Sequence, residues 1–247
     1  MKLTVFGTNA TCPEADGACS CFLAESAHSR LLLDMGNASL TKLQQKLDLA
    51  ALDGIFISHF HFDHVGDLFC AKYQLETRRA YGEAIPPIPL FAPAMPAWAA
   101  AELATNGVFE ISELSAPCSF VFRDMKLSFQ PMPHLIESFG IRIEADGEVF
   151  AYSGDTGACS ALTQLAARAD LFLCEATFPS CSAAECSHHL SAEHAAEAAK
   201  AAGAAQLLLT HYHSADAAES LALARGIFPH TGLSEILHSY PVRRETP

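Results

Sequence analysis

Basic residues are scarce in this sequence. Its 15 Lys and Arg stand against 28 Asp and Glu, a net charge of −13 at neutral pH. So acidic a surface repels phosphate backbones, and no cluster of Lys or Arg forms a footprint for them, so a nucleic-acid polymer is not an expected partner. Long apolar runs are missing as well. Half of the 247 residues are hydrophobic, yet Pro, Gly or a charge interrupts every stretch before the roughly 18 residues that a membrane helix needs. No apolar signal segment follows Met1–Gly7, which makes the expected location cytoplasmic. The nine cysteines contain no C-x-x-C pair, and Cys19 and Cys21 form only a C-x-C. In a chain too large to need stapling they are expected to be reduced thiols, mostly in the core.

No linker, charge block or repeat divides the chain, so one domain over 1–247 is expected, long enough for a substantial α/β core. Short apolar runs at Leu3–Gly7, Cys21–Glu25 and Leu31–Asp34 predict a strand meander. Helical spacing follows from Asn37 to Ala50, with Leu40, Leu43 and Leu47 on one face. Gly54–Ser58 predicts a buried strand, and Val65 to Tyr81 a helix. The span Ile85–Pro96 carries five prolines and must begin extended and loop-like; a short helix over Ala97–Thr105 is expected after it. Strands are predicted at Ser119–Arg123, Lys126–Gln130, Phe139–Glu144 and Glu148–Tyr152, the last two joined by a hairpin turn at Asp146-Gly147. Helix and strand then alternate: Ala158–Arg168, Leu171–Glu175, Ala192–Ala202 between Ser191 and Gly203 as caps, and Gln206–Thr210. A meander followed by alternation suggests two packed sheets with helices outside.

The twelve histidines cluster, most densely in Ser58-His59-Phe60-His61-Phe62-Asp63-His64, directly after a predicted buried strand. Side chains two apart in an extended chain point the same way, so His59 and His61 can bind one ion. The turn into the next helix swings Asp63 and His64 toward a second. A lone histidine there would be an ordinary core or surface residue. Three His and an Asp within six positions cannot all be satisfied that way, because each buried polar group needs a partner. Imidazole and carboxylate without thiolate suit Zn²⁺, and also Mn²⁺ or Fe.

With this motif the sequence resembles the metallo-β-lactamase-fold hydrolases along nearly its whole length. Leu33-Asp34-Met35-Gly36 looks like the family's strand-end Asp, which supports the ligands from behind. Pro133-His134, Tyr152-Ser153-Gly154-Asp155-Thr156-Gly157 and Leu209-Thr210-His211 look like its later ligand segments. The resemblance implies an α/β fold, a four-layer αβ/βα sandwich of two mixed sheets. It implies His59, His61 and His134 on one divalent ion, Asp63, His64 and His211 on the other, and Asp155 between them. His213 competes with His211 on spacing, but His211 ends the strand and fits the family position. Two such ions against two carboxylates and a bridging hydroxide would leave a formal charge of about +1, favouring a small anionic substrate.

Cys174-Glu175-Ala176-Thr177-Phe178 and His188-His189-Leu190-Ser191-Ala192-Glu193-His194 resemble the tRNase Z and phosphodiesterase branch. By that match His189 is the general acid for a poor alkoxide leaving group, oriented by Glu175. Ser191 has a plainer explanation as a helix cap. The branch's basic tRNA arm is absent, since one hairpin fills the interval between His134 and Asp155. The expected activity is therefore hydrolysis of small phosphodiesters such as cyclic nucleotides, with Asp63, His189 and Glu175 as the catalytic set and a homodimer as a plausible assembly. A lactone or thioester hydrolase on the same ions, and a non-catalytic metal-binding protein, are the competing readings. Arg123 and Arg142 are candidate phosphate partners, and Phe91, Met95 and Trp98 candidate walls over the ions.

Overall fold

The structure is a computed structural model that describes residues 1–114, 117–181 and 185–243. Two seven-stranded sheets form its frame. The first contains β1 (Lys2–Gly7), β2 (Cys21–Glu25), β3 (Arg30–Leu33), β4 (Gly54–Phe56), β5 (Ile88–Ala92), β6 (Phe109–Glu113) and, beside β1, β14 (Ser239–Pro241). The second runs in order from β7 (Cys118–Phe122) through β8 (Met125–Met132), β9 (Ser138–Ala145), β10 (Glu148–Tyr152), β11 (Leu171–Glu175) and β12 (Leu207–Thr210) to β13 (Thr231–Leu233). Each is mixed, antiparallel in its meander and parallel where helices connect the strands. The Asp146-Gly147 turn has positive φ at both residues, as a tight hairpin between β9 and β10 requires.

The apolar side chains account for the layers. Val5, Phe22, Leu33 and Phe56 of the first sheet meet Phe129, Ile141, Phe150 and Leu173 of the second in one buried cluster. On the outer face of the first sheet, Leu32, Ile55 and Leu90 pack against α1 (Ser39–Leu43), α2 (Phe62–Ala80) and α3 (Ala97–Leu103). On the outer face of the second, Phe172, Cys174 and Leu209 pack against α4 (Ser160–Leu165), α5 (Ala192–Ala202) and α6 (Ala217–Ile227). The arrangement is helix, sheet, sheet, helix, as expected. Among the described residues no helix is long and apolar enough to cross a membrane.

Several elements differ from expectation. The helix predicted to reach Ala50 stops at Leu43, and a separate 3₁₀ turn over Leu49–Ala51 begins at Asp48, which is extended and accepts the Ala50 amide at 2.9 Å, a local bond that keeps those residues out of the helix. The proline-rich span contains a strand, β5. Its Pro89 pairs with β6, while pairing to β4 begins only at Leu90, so the missing N–H lies where that side of the strand has no neighbour. Strands β6, β13 and β14 and helix α6 lie outside the predicted elements. Contrary to the expectation of reduced thiols, Cys181 and Cys186 form a disulfide.

Candidate metal centre

Strand ends from both sheets converge on one site. Beyond β4 the chain passes through Ser58 to His59 and His61, the latter capping α2, whose first turn carries Asp63 and His64. From the other sheet come His134 after β8, Asp155 after β10, Glu175 as the last residue of β11 and His211 directly after β12. Two backbone features set these exits. Asp34 and His211 hold left-handed φ values of 56° and 53°, a conformation that Asp and His tolerate better than most side chains. Gly36 lies so close to the motif that a Cβ there would strike the Asp63 carbonyl, which only glycine permits.

The seven ligand residues nominated from sequence, with Glu175 and His189 beside them, fall in this one place. His61 Nδ1 is 3.1 Å from His59 Nε2 and 3.1 Å from His134 Nε2. Asp63 Oδ2 lies 3.2 Å from His211 Nε2 and 3.8 Å from His64 Nε2. Asp155 stands between the two groups, with Oδ1 3.3 Å from His64 Nε2 and Oδ2 3.4 Å from His211 Nε2 and 3.7 Å from His59 Nε2. His213, the rival to His211, carries on past the cluster toward Glu14.

The hydrogen bonds behind these atoms decide which nitrogens face inward. His64 Nδ1 lies 2.8 Å from Asp34 Oδ2, and His134 Nδ1 2.8 Å from the carbonyl of His188, so both donate there. Ser58 Oγ donates to Asp34 at 2.8 Å and can therefore accept from His59 Nδ1 at 3.0 Å. Thr177 Oγ1 donates to Glu175 at 2.8 Å and can accept from His211 Nδ1 at 2.9 Å. With Nδ1 so engaged, each of these four rings can turn an Nε2 lone pair to the cluster once Nε2 gives up its proton. Bare nitrogens and carboxylate oxygens gathered this closely repel one another unless a cation lies among them. Their spacings match the edge of about 3.3 Å expected for a tetrahedron of ligands at ~2.0–2.1 Å. His64 Nε2 and Asp155 Oδ1 are moreover buried without a hydrogen-bond partner, which a metal ion would remedy. The donor set fits two divalent ions.

Electrostatics follow the same geometry. Burial, reinforced by neighbouring imidazoles, holds His59 well below its ordinary value, and burial also lowers His61 and His134. Neutral rings are what ligation requires. Burial opposes ionisation of Asp63, but the His211 hydrogen bond and His64 bring its carboxyl down to about 2. For Asp155, too, His211 and His64 outweigh burial and keep the carboxylate ionised. In His64 burial is outweighed by Asp155 and Asp34, which favour its protonated form.

Beside the cluster, His189 is held by Glu175. His189 Nδ1 is 3.1 Å from Glu175 Oε1, and its ring lies parallel to that of His211 with centroids 5.5 Å apart. Glu175 is fully buried and saturated: it also accepts from the amides of Thr156 and Leu190 and the hydroxyl of Thr177. Against the effect of burial, this carboxylate raises His189 to about 9. The side chain remains partly exposed, at 22%.

Sequence reasoning did not assign roles to Ser58, Thr177, Tyr152 or the carbonyl of His188, which orient the ligands and Asp34. Hydroxyls immediately beside ligand positions were the available signal, since Ser58 precedes His59 and Thr177 follows Glu175 by two. Other nominations fall away. Arg123 pairs with Asp53 at 2.9 Å, and Arg142 with Glu144 and the carbonyls of Leu165 and Ala167. Phe91 is buried against Phe120 and Phe122 in the inter-sheet core, and Met95 packs on the outer cluster of the first sheet. Trp98 alone of the suggested walls is substantially exposed, at 50%.

Comparison with known proteins agrees with this architecture. The family model for the beta-lactamase superfamily domain matches residues 29–212. An uncharacterized protein of Mycobacterium tuberculosis is 30% identical over 225 residues, covering 85% of this chain and 80% of its own. The crystal structure of the metallo-beta-lactamase fold protein YhfI from Bacillus subtilis superposes with a TM-score of 0.89 at 22% identity, covering 97% of this chain and 98% of that one. The short form of human tRNase Z superposes with a TM-score of 0.76 at 24% identity, covering 98% and 99%. The chain belongs to the beta-lactamase superfamily and has the metallo-β-lactamase fold.

Proposed function

We propose that this protein is a dinuclear metal-dependent hydrolase of small phosphodiesters, cyclic nucleotides among them. The observation that carries the reading is the placement of His189. A histidine oriented by a buried carboxylate and stacked against the His211 ring provides a proton donor at the rim of the ligand cluster. Hydrolysis of an alkyl phosphodiester needs such a donor, because the departing alkoxide is a poor leaving group.

His59, His61 and His134 would hold one ion, Asp63, His64 and His211 the other, with Asp155 shared; the nitrogen and oxygen donor set favours zinc. Divalent ions bound there supply activated water at neutral pH and stabilise charge on phosphoryl oxygens. The remaining work belongs to the chain. Asp34, Ser58, Thr177 and the His188 carbonyl fix the ligand rings through their Nδ1 atoms. Glu175 fixes His189 through Nδ1, leaving Nε2 to carry the proton given to the leaving oxygen. The relationship to proteins named ribonuclease Z supports phosphodiester chemistry. The short β9–β10 hairpin and the charge of −13 support a small substrate over a polymer.

The test pairs metal analysis with turnover of bis-p-nitrophenyl phosphate and a cyclic nucleotide on one purified sample. Two ions per chain with phosphodiester turnover is the expected result. Two ions with turnover of lactones or thioesters only would overturn the substrate class, and a folded protein that binds no metal would overturn the reading entirely.

A further inference from the structure

Large hydrophobic side chains are normally exposed singly, but here several are gathered around the metal centre. Phe62, 68% exposed, lies between His61 and Asp63, so its Cα is one peptide step from two ligand residues. Its ring stacks on Trp98 of α3, with centroids 6.0 Å apart and planes inclined by 30°. Trp98 is backed in turn by Phe69 of α2, centroids 5.4 Å apart. Leu135 and Ile136, 65% and 38% exposed, follow His134 directly. Their loop is tied to the segment entering α3, because the Ala94 amide donates to Glu137 Oε2 at 3.1 Å.

None of this apolar surface is needed to hold His59, His64, His134 or His211, which are oriented by the polar contacts described above. An aromatic pair exposed by half or more adds little to folding, since the rings keep much of their area in water. Its position is the informative feature. Phe62 and Leu135 each adjoin a ligand residue along the chain and are exposed, so they offer an apolar surface to a group attached to a phosphorus atom held at the His59–Asp155 cluster. A flat, uncharged pair of rings there matches a planar aromatic group and offers nothing to a second phosphate.

We infer that Phe62 and Trp98 form a stacking platform for the base of the substrate, so that the phosphodiesters this protein selects are nucleotides rather than simple alkyl esters. The inference rests on the phosphodiesterase reading and adds the residues that choose among phosphodiesters. Trp98 is the only tryptophan in the chain, so its emission reports the platform directly, independent of hydrolysis.

The experiment titrates the metal-loaded, full-length protein with adenosine 5′-monophosphate and, separately, with ribose 5-phosphate. Adenosine 5′-monophosphate should change Trp98 emission saturably and ribose 5-phosphate should not. Phe62→Leu, which keeps apolar bulk but removes the ring, should raise the midpoint and the KM for a cyclic nucleotide by roughly 5- to 100-fold while affecting kcat far less. Trp98→Phe, which retains a ring, should preserve most of the affinity. Equal responses to the two phosphates, or a Phe62→Leu protein with unchanged KM, would overturn the platform. So would a loss of oligomeric state in Phe62→Leu or Trp98→Ala by light scattering, which would make this face a contact between copies. If the wild type cleaves no phosphodiester yet adenosine 5′-monophosphate alone perturbs Trp98, the platform stands and the hydrolytic reading falls.

Discussion

His64 Nδ1 lies 2.8 Å from the Oδ2 of Asp34, and neither side chain is exposed to solvent. The same oxygen accepts from the hydroxyls of Tyr152 at 2.7 Å and Ser58 at 2.8 Å, while Oδ1 accepts the Ser58 amide at 2.7 Å. One carboxylate therefore aligns His64 directly and His59 through Ser58. Asp34→Asn keeps the shape and tolerates the left-handed backbone, but it removes the charge and offers an N–H where acceptors are needed. The expected outcome is a loss of roughly 10- to 100-fold in metal affinity with the fold retained. Competition with a chelating dye measures it, and affinity equal to the wild type would mean that Asp34 does not set the ligand tautomers.

The Glu175–His189 pair separates proton donation from metal binding. His189→Ala should leave the metal content at the wild-type level, because its ring is held by Glu175 and not by the ligand triads. Cleavage of an alkyl phosphodiester should fall by about 10²- to 10⁴-fold. Release of p-nitrophenolate, which departs without protonation, should fall far less. Steady-state rates on the two substrates check this, and equal losses on both would reduce His189 to a positioning residue.

The strength of each sequence signal explains what was legible. The meander, the later helix–strand alternation and the ligand-rich motif at 59–64 were readable because periodicity and side-chain type carry them locally. His134, Asp155 and His211 are single residues at strand ends; only their order along the chain, matched to a family, nominated them. Their supports were not legible. The His188 carbonyl that orients His134 is separated from it by 54 residues, and a backbone oxygen leaves no mark in composition. Strand β14 pairs with β1 across almost the whole chain, and its three residues, Ser239–Pro241, show no usable alternation. The separate turn that Asp48 caps was concealed by the regular spacing of Leu40, Leu43 and Leu47. Phe62 lies inside the motif itself, where the ligand residues on either side draw the reading.

The close approach of Gly36 to the motif is testable through opposite signs at two glycines. In Gly36→Ala the new methyl would meet the Asp63 carbonyl and lie 2.8 Å from Cys19 Cβ, both in the packed interior. We expect destabilisation of about 1–3 kcal/mol and weaker metal binding, since the obstructed backbone is that of Asp63. In Gly226→Ala, within α6, a Cβ meets nothing within 4 Å, and stability should rise by about 0.4–1 kcal/mol through reduced freedom of the unfolded chain. Urea midpoints with unchanged slopes distinguish the two, and a tolerated Gly36→Ala would show that α2 can shift without cost.

Removing the ions should soften the protein without unfolding it. The ligands stand at strand ends, outside the three apolar clusters that hold the sheets and helices together, so the apo form keeps its core. Asp63 and Asp155 then remain ionised against His211 and His64, which compensates part of the lost attraction. Each ion bound only by the native state, at a free concentration of 100 times its Kd, contributes about 2.7 kcal/mol, so two contribute about 5 kcal/mol, and for a chain of this length that corresponds to about 10–20 °C in Tm. Calorimetry before and after a chelator should show that fall, with the far-ultraviolet circular dichroism at 25 °C unchanged, and readdition of zinc should restore it. A Tm indifferent to chelation, in protein first shown to be metal-loaded, would place the ions elsewhere than among these strand ends.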